Sequence, residues 1–246
     1  MPPPLAGRVA LVTGASRGIG YATAVALAEA GAHIVAIART VGGLEELDDA
    51  VKALGGSTTL VPLDLRDSAG IDRLGLALHQ RFGRLDVLVG NAAMLGPLSP
   101  LGHVEAKAWD ELMAVNVTAN WRLICALDQL LKFSDAGRVV FVSSGITAQS
   151  PAYWGPYSVS KTALEALART YAAECASTNV RVNILAPGPV RTRMRAQAMP
   201  GEDPTTVDPP DKVASHVVGL CLPSMRENGK LYSYPHRRYL DFRAPS

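Results

Sequence analysis

The chain has 246 residues, of which 48% are hydrophobic and 19% charged, and its 22 glycines and 17 prolines are spread along its length. This composition excludes disordered, collagen-like and low-complexity proteins and fits one α/β domain or two small ones. The 24 Lys and Arg residues and 22 Asp and Glu residues give a net charge of +2, too small and dispersed for a nucleic-acid-binding surface.

Cysteine usage and the N-terminal residues favour a reducing compartment. Cys125, Cys175 and Cys221 are odd in number, far apart and without CxxC spacing, so neither a disulfide framework nor a metal site is predicted. The N-terminus has no basic segment, and its apolar run Val9–Val12 is far shorter than a membrane span. We therefore expect a cytoplasmic protein with no membrane partner.

Short β-type runs alternate with helix-like stretches along the chain. The predicted strands are Val9–Thr13, Ile34–Ile37, Thr59–Leu63, Val87–Gly90, Val139–Ser143 and Val180–Leu185. The predicted helices are Tyr21–Ala30, Leu44–Leu54, Ile71–Phe82, Trp109–Leu131 and Tyr157–Ala176. This alternation predicts an α/β fold: a single doubly wound domain over residues 1–246, with a mostly parallel sheet of about seven strands and helices on both faces.

A glycine-rich turn joins the first predicted strand to an Ala-rich helix. Gly14, Gly18 and Gly20 permit a tight turn and close approach to a ligand, and the helix start offers free N–H groups to a pyrophosphate. Their spacing, Gly-x3-Gly-x-Gly, differs from the general GxGxxG pattern. We predict a dinucleotide phosphate site, with a tight turn that binds nothing as the alternative.

The end of the second predicted strand indicates which dinucleotide is bound. Arg39 stands where a carboxylate would accept from an adenosine 2′-hydroxyl, and Arg17 lies in the glycine turn. Both guanidiniums suit a 2′-phosphate, so NADP(H) is favoured over NAD(H), with solvated surface arginines as the alternative. Asp64 is expected to accept from the adenine amino group or to cap the following helix.

Tyr157 and Lys161 are four residues apart, so on a helix they share a face one turn apart. A tyrosine has a pKa of about 10 and is a poor acid-base catalyst near neutral pH unless a cation favours its phenolate. Lys161 is placed to lower the pKa of Tyr157. Taken alone, the pair is equally compatible with an exposed helix face.

Together these motifs make nearly the whole chain similar to the short-chain dehydrogenase/reductase (SDR) family. The family's cofactor motif TGxxxGxG is matched by Thr13, Gly14, Gly18 and Gly20, and its YxxxK motif by Tyr157 and Lys161. The resemblance implies a Rossmann fold, reversible NADPH-dependent reduction of a small-molecule carbonyl to an alcohol, and homodimers or homotetramers. It implies catalytic roles for Asn116, Ser144, Tyr157 and Lys161.

The resemblance also suggests a role for each of these side chains. Ser144, thirteen residues before the tyrosine and so chosen over Ser143, would bind the substrate oxygen, and Tyr157 would donate a proton to it. Lys161 would also hold the nicotinamide ribose, and Asn116 would position a water that links Lys161 to solvent. The complete predicted cofactor set is Gly14, Ser16, Arg17, Gly18, Ile19, Gly20, Arg39, Asp64, Leu65, Asn91, Tyr157, Lys161, Pro187, Gly188, Val190 and Thr192.

The chain departs from the family after the fourth strand. Gly90 and Ala93 flank Asn91 and Ala92 where the family has Asn-Asn-Ala-Gly. Gly90 therefore lacks an amide that ties neighbouring strands in the family, and Ala93 adds a methyl group near the nicotinamide ribose. We expect altered cofactor affinity or cleft width with the chemistry retained.

Two stretches interrupt the alternation. Residues 191–211 follow a strand and are predicted to form a substrate lid, and the tail 232–246 is a candidate for packing on a neighbouring subunit. An apolar substrate pocket is predicted from Leu95, Tyr153, Trp154, Met194 and Met199. Attraction of an anionic substrate is a second role for the lid arginines Arg191, Arg193 and Arg195.

Two other functions remain open at this stage. One is a non-catalytic NADP(H) sensor or scaffold, because a fold alone does not fix function. The other is an epimerase or dehydratase that retains NAD, although such proteins resemble longer chains with a separate substrate domain.

Overall fold

An eight-stranded sheet forms the centre of the molecule. The computed structural model describes residues 2–242 of the chain. The strands are β1 (Val9–Thr13), β2 (His33–Ala38), β3 (Thr58–Pro62), β4 (Val87–Gly90), β5 (Arg138–Val142), β6 (Arg181–Ala186), β7 (Leu231–Ser233) and β8 (Arg238–Leu240). Their order across the sheet is β3-β2-β1-β4-β5-β6-β7-β8. All neighbours are parallel except β7 and β8, which are antiparallel.

Helices cover both faces of this sheet. They are α1 (Gly18–Glu29), α2 (Val41–Ala53), α3 (Ser68–Phe82), α4 (Ala106–Met113), α5 (Ala119–Phe133), α6 (Gly155–Glu174), α7 (Arg193–Ala198) and α8 (Pro210–Cys221). Strand residues alternate between two apolar cores: Val9 and Leu11 pack with α3, α5 and α6, whereas Ala10 and Val12 pack with α1, α2 and α8. The chain thus has the predicted single α/β domain with a mostly parallel sheet.

The sheet has eight strands where about seven are predicted, because residues of the tail form most of β7 and all of β8. Packing of the tail on a neighbouring subunit stays a prediction. The sequence prediction needs two corrections. The predicted helix Trp109–Leu131 is interrupted by a π-helical turn over Ala114–Thr118, which separates α4 from α5. Asp67 rather than Asp64 caps α3, since its carboxylate accepts from the Gly70 N–H at 2.9 Å.

The tail prediction also extends to residues 243–246, which lie outside the described residues. Within residues 2–242, no helix combines the length and apolar character needed to cross a membrane. No group of three or more His, Cys, Asp or Glu side chains in the same range is arranged to hold a metal ion.

Candidate active site

A cleft of about 750 Å³ opens at the carboxyl ends of β1, β2, β4, β5 and β6. This is the edge at which parallel α/β sheets bind ligands. Thirteen predicted cofactor residues line it: Gly14, Ser16, Arg17, Gly18, Ile19, Arg39, Asp64, Leu65, Asn91, Tyr157, Lys161, Pro187 and Thr192. The other predicted catalytic and cofactor residues are not among the residues that line the cleft: Gly20, Asn116, Ser144, Gly188 and Val190.

The glycine turn has the backbone geometry that its sequence predicts. Gly14 and Gly18 adopt φ values of +67° and +59°, which favour glycine. A Cβ at Gly20 would lie only 2.3 Å from the Gly14 carbonyl oxygen and 2.4 Å from the Asn91 amide nitrogen. The turn therefore folds tightly over the start of α1, whose first-turn N–H groups receive no side-chain cap, and this geometry fits a dinucleotide phosphate.

Hydrogen bonds fasten the glycine turn to the end of β4. The Thr13 hydroxyl accepts from the backbone N–H groups of Asn91 and Ala92, both at 3.0 Å, and donates to the Val89 carbonyl at 3.3 Å. The Asn91 amide donates to the Thr13 carbonyl at 2.9 Å. Asn91 thus holds the floor of the cleft in place.

Two exposed arginines flank the adenosine end of the cleft expected from the sequence. Arg17 and Arg39 line the cleft, and neither forms an ion pair with a residue in the described range. Asp64 pairs with Arg66 at 2.7 Å, which lowers the pKa of the Asp64 carboxyl, and Arg39 lowers it further. The free positive charges near this end therefore belong to Arg17 and Arg39, a donor set that fits a phosphate.

Tyr157 and Lys161 lie together in the cleft on the first turns of α6. Tyr157 is 8% exposed and Lys161 only 2%. The Lys161 Nζ atom donates to the Val142 carbonyl at 2.7 Å and lies 5.8 Å from the centre of the Tyr157 ring. The predicted pair therefore shares one face of a buried helical segment rather than an exposed one.

Burial dominates the pKa of Tyr157, and the lowering of that pKa by Lys161 stays a prediction. Burial raises the pKa of Tyr157 to about 12, and the neighbouring Ser144 hydroxyl offsets only part of this effect. Burial lowers the pKa of Lys161 to about 8. At neutral pH, Tyr157 is therefore a neutral phenol that holds a proton beside a positively charged Lys161.

Ser143 and Ser144 have different partners at the end of β5. The Ser144 hydroxyl caps a 3₁₀ turn, where it accepts from the Ile146 N–H at 3.4 Å. It also lowers the pKa of Tyr157. The Ser143 hydroxyl instead donates to the Glu165 carboxylate at 2.5 Å. Of the two serines, Ser144 is the one whose hydroxyl lowers the pKa of Tyr157.

Asn116 lies in the π-helical turn and is fully buried. Its amide donates to the Met94 carbonyl at 2.9 Å and to the Ser160 hydroxyl at 3.0 Å, and its oxygen accepts from the Met94 N–H at 2.8 Å. Both amide N–H groups are thus used within the chain, and the water that Asn116 is expected to position stays a prediction. Asn116 also fixes Met94, a cleft residue that the sequence did not predict.

A second asparagine explains how the chain tolerates Gly90. A Cβ at Gly90 would lie 2.5 Å from the Phe141 ring and 2.6 Å from the amide oxygen of buried Asn120. The Asn120 amide also donates to the Asn116 carbonyl at 2.9 Å. Asn120 thus places an amide beside Gly90, where the family has an asparagine side chain.

The segment that follows β6 has its two ends side by side. Val190 pairs with Asp208, and the Arg191 N–H donates to the Asp208 carbonyl at 2.9 Å. The hydroxyl of Tyr234, from the tail hairpin, donates to the Asp208 carboxylate at 2.9 Å. Pro235 of the same hairpin fills the space where Gly188 would carry a Cβ. The tail therefore supports both ends of segment 191–211.

The predicted substrate pocket is only partly assembled. Leu95 and Met194 line the cleft, as do Arg191 and Arg193 of the lid segment. The other apolar candidates, Tyr153, Trp154 and Met199, do not, and Arg195 pairs with Glu202 at 2.5 Å. Tyr153 is 60% exposed.

Comparison with known proteins places these features in context. Residues 8–203 match the sequence profile of a family described as short chain dehydrogenase. The chain is 37% identical to the oxidoreductase YciK of Escherichia coli K12 over 206 residues, which cover 82% of this chain and 81% of that protein. It is also 37% identical to an NAD-dependent oxidoreductase of Mycobacterium tuberculosis, over 77% of this chain and 74% of that protein.

A solved structure gives a similar result for the whole fold. A short chain dehydrogenase from Shigella flexneri 2a, determined in complex with NADP, superimposes with a TM-score of 0.90 at 34% sequence identity. The match covers 95% of this chain and 99% of the Shigella protein.

Proposed function

The chain belongs to the short chain dehydrogenase family of oxidoreductases, and on this premise we propose that it interconverts a carbonyl and an alcohol with NADP(H). The observation that carries the proposal is the buried Tyr157–Lys161 pair, which lines the same cleft as the glycine turn. The nicotinamide cofactor would supply the hydride, and the residues of this chain would bind the two reactants and manage the proton.

Arg17 and Arg39 support NADP(H) over NAD(H), because two unpaired guanidiniums would pair with a 2′-phosphate. An adenosine 2′-hydroxyl would instead need a carboxylate at the position of Arg39. The NADP complex of the Shigella protein agrees with this assignment. The relative from M. tuberculosis is named NAD-dependent, so NADH is the necessary competitor in any binding test. The backbone of Gly14 and Gly18 would hold the diphosphate, and Thr192 would contact the carboxamide.

In the reduction direction, Tyr157 would act as general acid. Its neutral phenol would donate a proton to the carbonyl oxygen, while the Ser144 hydroxyl would hydrogen-bond the same oxygen. The Lys161 ammonium would stabilise the resulting phenolate and bind the ribose. Asn116 would act indirectly, by fixing the Met94 segment of the cleft.

The substrate would be a small carbonyl or alcohol that enters between Leu95 and Met194, beneath a lid formed by residues 191–211. A homodimer or homotetramer through α5 and α6 would cover their exposed residues Trp121 and Val159.

Titration calorimetry with NADPH and NADH is the first test. We expect NADPH to bind more tightly, and an Arg39→Ala variant to lose that preference. NADH preference in the parent protein would contradict the assignment of Arg17 and Arg39.

The second test follows the loss of NADPH absorbance with a panel of carbonyl compounds. Tyr157→Phe should abolish turnover, whereas Tyr153→Phe, a change at the exposed neighbouring tyrosine, should not. NADPH binding without turnover of any compound would instead support the non-catalytic sensor.

A further inference from the structure

A buried acidic residue lies next to the proposed catalytic pair. Glu165 is 6% exposed and follows Lys161 by one turn of α6, just as Lys161 follows Tyr157. Side chains four residues apart share a helix face. Tyr157, Lys161 and Glu165 therefore form one continuous row along α6. Burial of a carboxylate is costly unless its partners compensate, so its contacts need an explanation.

The hydrogen bonds of Glu165 are with the segment that directly follows β5. One carboxylate oxygen of Glu165 accepts from the Ser143 hydroxyl at 2.5 Å and from the Thr147 hydroxyl at 3.0 Å. The residue before Ser143 is Val142, whose carbonyl accepts from Lys161 at 2.7 Å. The residue after it is Ser144, whose hydroxyl lowers the pKa of Tyr157. Val142 and Ser143 thus hydrogen-bond Lys161 and Glu165 of this row, and Ser144 is the next residue along the chain.

Glu165 also affects the pKa of Lys161. Its negative charge raises the pKa of Lys161 and so opposes the effect of burial. Burial raises the pKa of Glu165 itself, and this rise is opposed by the hydroxyls of Ser143 and Thr147, by Arg169 on the same helix and by Lys161. The remaining groups described around this row, among them Asn116 and Ser160, are uncharged near neutral pH.

We propose that Glu165 is a positioning residue for the reaction: it holds the end of β5 against α6, and its charge keeps Lys161 in the ammonium form. The proposal rests on the proposed function. Without the carboxylate, Ser143 loses its partner, the neighbouring Ser144 is less firmly placed relative to Tyr157, and Lys161 loses its favourable charge. Glu165 would therefore influence both the geometry and the protonation of the site without touching the reactants.

The decisive variant is Glu165→Gln, which keeps the size of the side chain and removes its charge. We expect kcat for NADPH-linked reduction to fall about tenfold, because small displacements of reacting groups are costly. The basic limb of its pH profile should move to lower pH by about one unit, since an opposite charge nearby stabilises the ammonium form. Affinity for NADPH should change by less than about twofold, because Glu165 does not line the cleft.

Ser143→Ala is the matched variant, because it removes the contact and leaves the charge. It should lower kcat while leaving the basic limb of the pH profile in place. Unchanged kcat in Ser143→Ala would overturn the positioning role even if Glu165→Gln does not fold. A Glu165→Gln protein with a reduced melting temperature but unchanged kcat and pH profile would reduce Glu165 to a structural residue.

A measurement without cofactor or substrate separates this proposal from the proposed function. The NMR signal of the Lys161 side chain, assigned with a Lys161→Arg variant, reports its protonation in the free protein. Its titration midpoint should fall in Glu165→Gln and stay unchanged in Ser143→Ala. A midpoint unaffected by Glu165→Gln would overturn the proposed charge effect. Absence of any turnover in the parent protein would contradict the proposed function alone.

Discussion

Replacement of Gly20 by alanine tests the geometry of the glycine turn. The added methyl group would lie 2.3 Å from the Gly14 carbonyl oxygen, so α1 and the turn must move apart by most of an ångström. Overpacking of this kind costs about 1–3 kcal/mol. Alanine recovers up to about 1 kcal/mol through its higher helix propensity. We therefore expect a net loss of up to about 2 kcal/mol in the free energy of unfolding, together with NADPH binding weakened at least about tenfold.

Gly42→Ala is the matched control, because Gly42 also lies in the first turn of a helix but has no atom within 4 Å of an added Cβ. This change should stabilise the protein by about 0.5–1 kcal/mol and leave NADPH binding unaltered. Urea denaturation gives the stabilities and calorimetry gives the affinities. A Gly20→Ala protein that is as stable as Gly42→Ala and binds NADPH normally would refute the tight packing of the turn against α1.

Three further predictions concern the rest of the site. Arg39→Ala should weaken NADPH binding by about 1.5–3 kcal/mol, the range for hydrogen bonds to charged groups, and leave NADH binding unchanged in calorimetry; equal losses for both would contradict a 2′-phosphate contact. Gly90→Asn should lower the free energy of unfolding by about 1–3 kcal/mol in urea, because Phe141 and Asn120 fill the space that the new side chain needs; unchanged stability would contradict this packing. The rate of NADPH-linked reduction should fall as pH rises through about 8, where Lys161 loses its charge; a rate that is constant between about pH 7 and 10 would show that the ammonium form is not needed.

The regular part of the fold was predictable because its signals are local. Strands β1 to β6 are short apolar runs, and the helices between them repeat apolar residues at helical spacing. Strands β7 and β8 contain only three residues each, and each has a single tyrosine at its centre. Their pairing depends on a neighbouring strand rather than on their own pattern, so no strand was predicted there.

The site was predictable where a motif fixes the backbone and less so where packing decides. Gly14 and Gly18 have the torsions that their motif implies. The burial that raises the pKa of Tyr157 was not predictable, because the extent of burial is a property of the folded chain. Asn120 beside Gly90 was missed for a similar reason: thirty residues separate them, and only the fold brings them into contact.

The most direct test of the account is reduction of a carbonyl substrate with NADPH that carries deuterium in the transferable position of its nicotinamide ring. We predict that the alcohol product contains one deuterium per NADPH consumed. Tyr157→Phe should reduce the rate by at least about a hundredfold, the lower range for a lost general acid. A protein that binds NADPH without transferring deuterium to any carbonyl, or a Tyr157→Phe variant that keeps the parent rate, would contradict the assignment of Tyr157 as the proton donor in an oxidoreductase site.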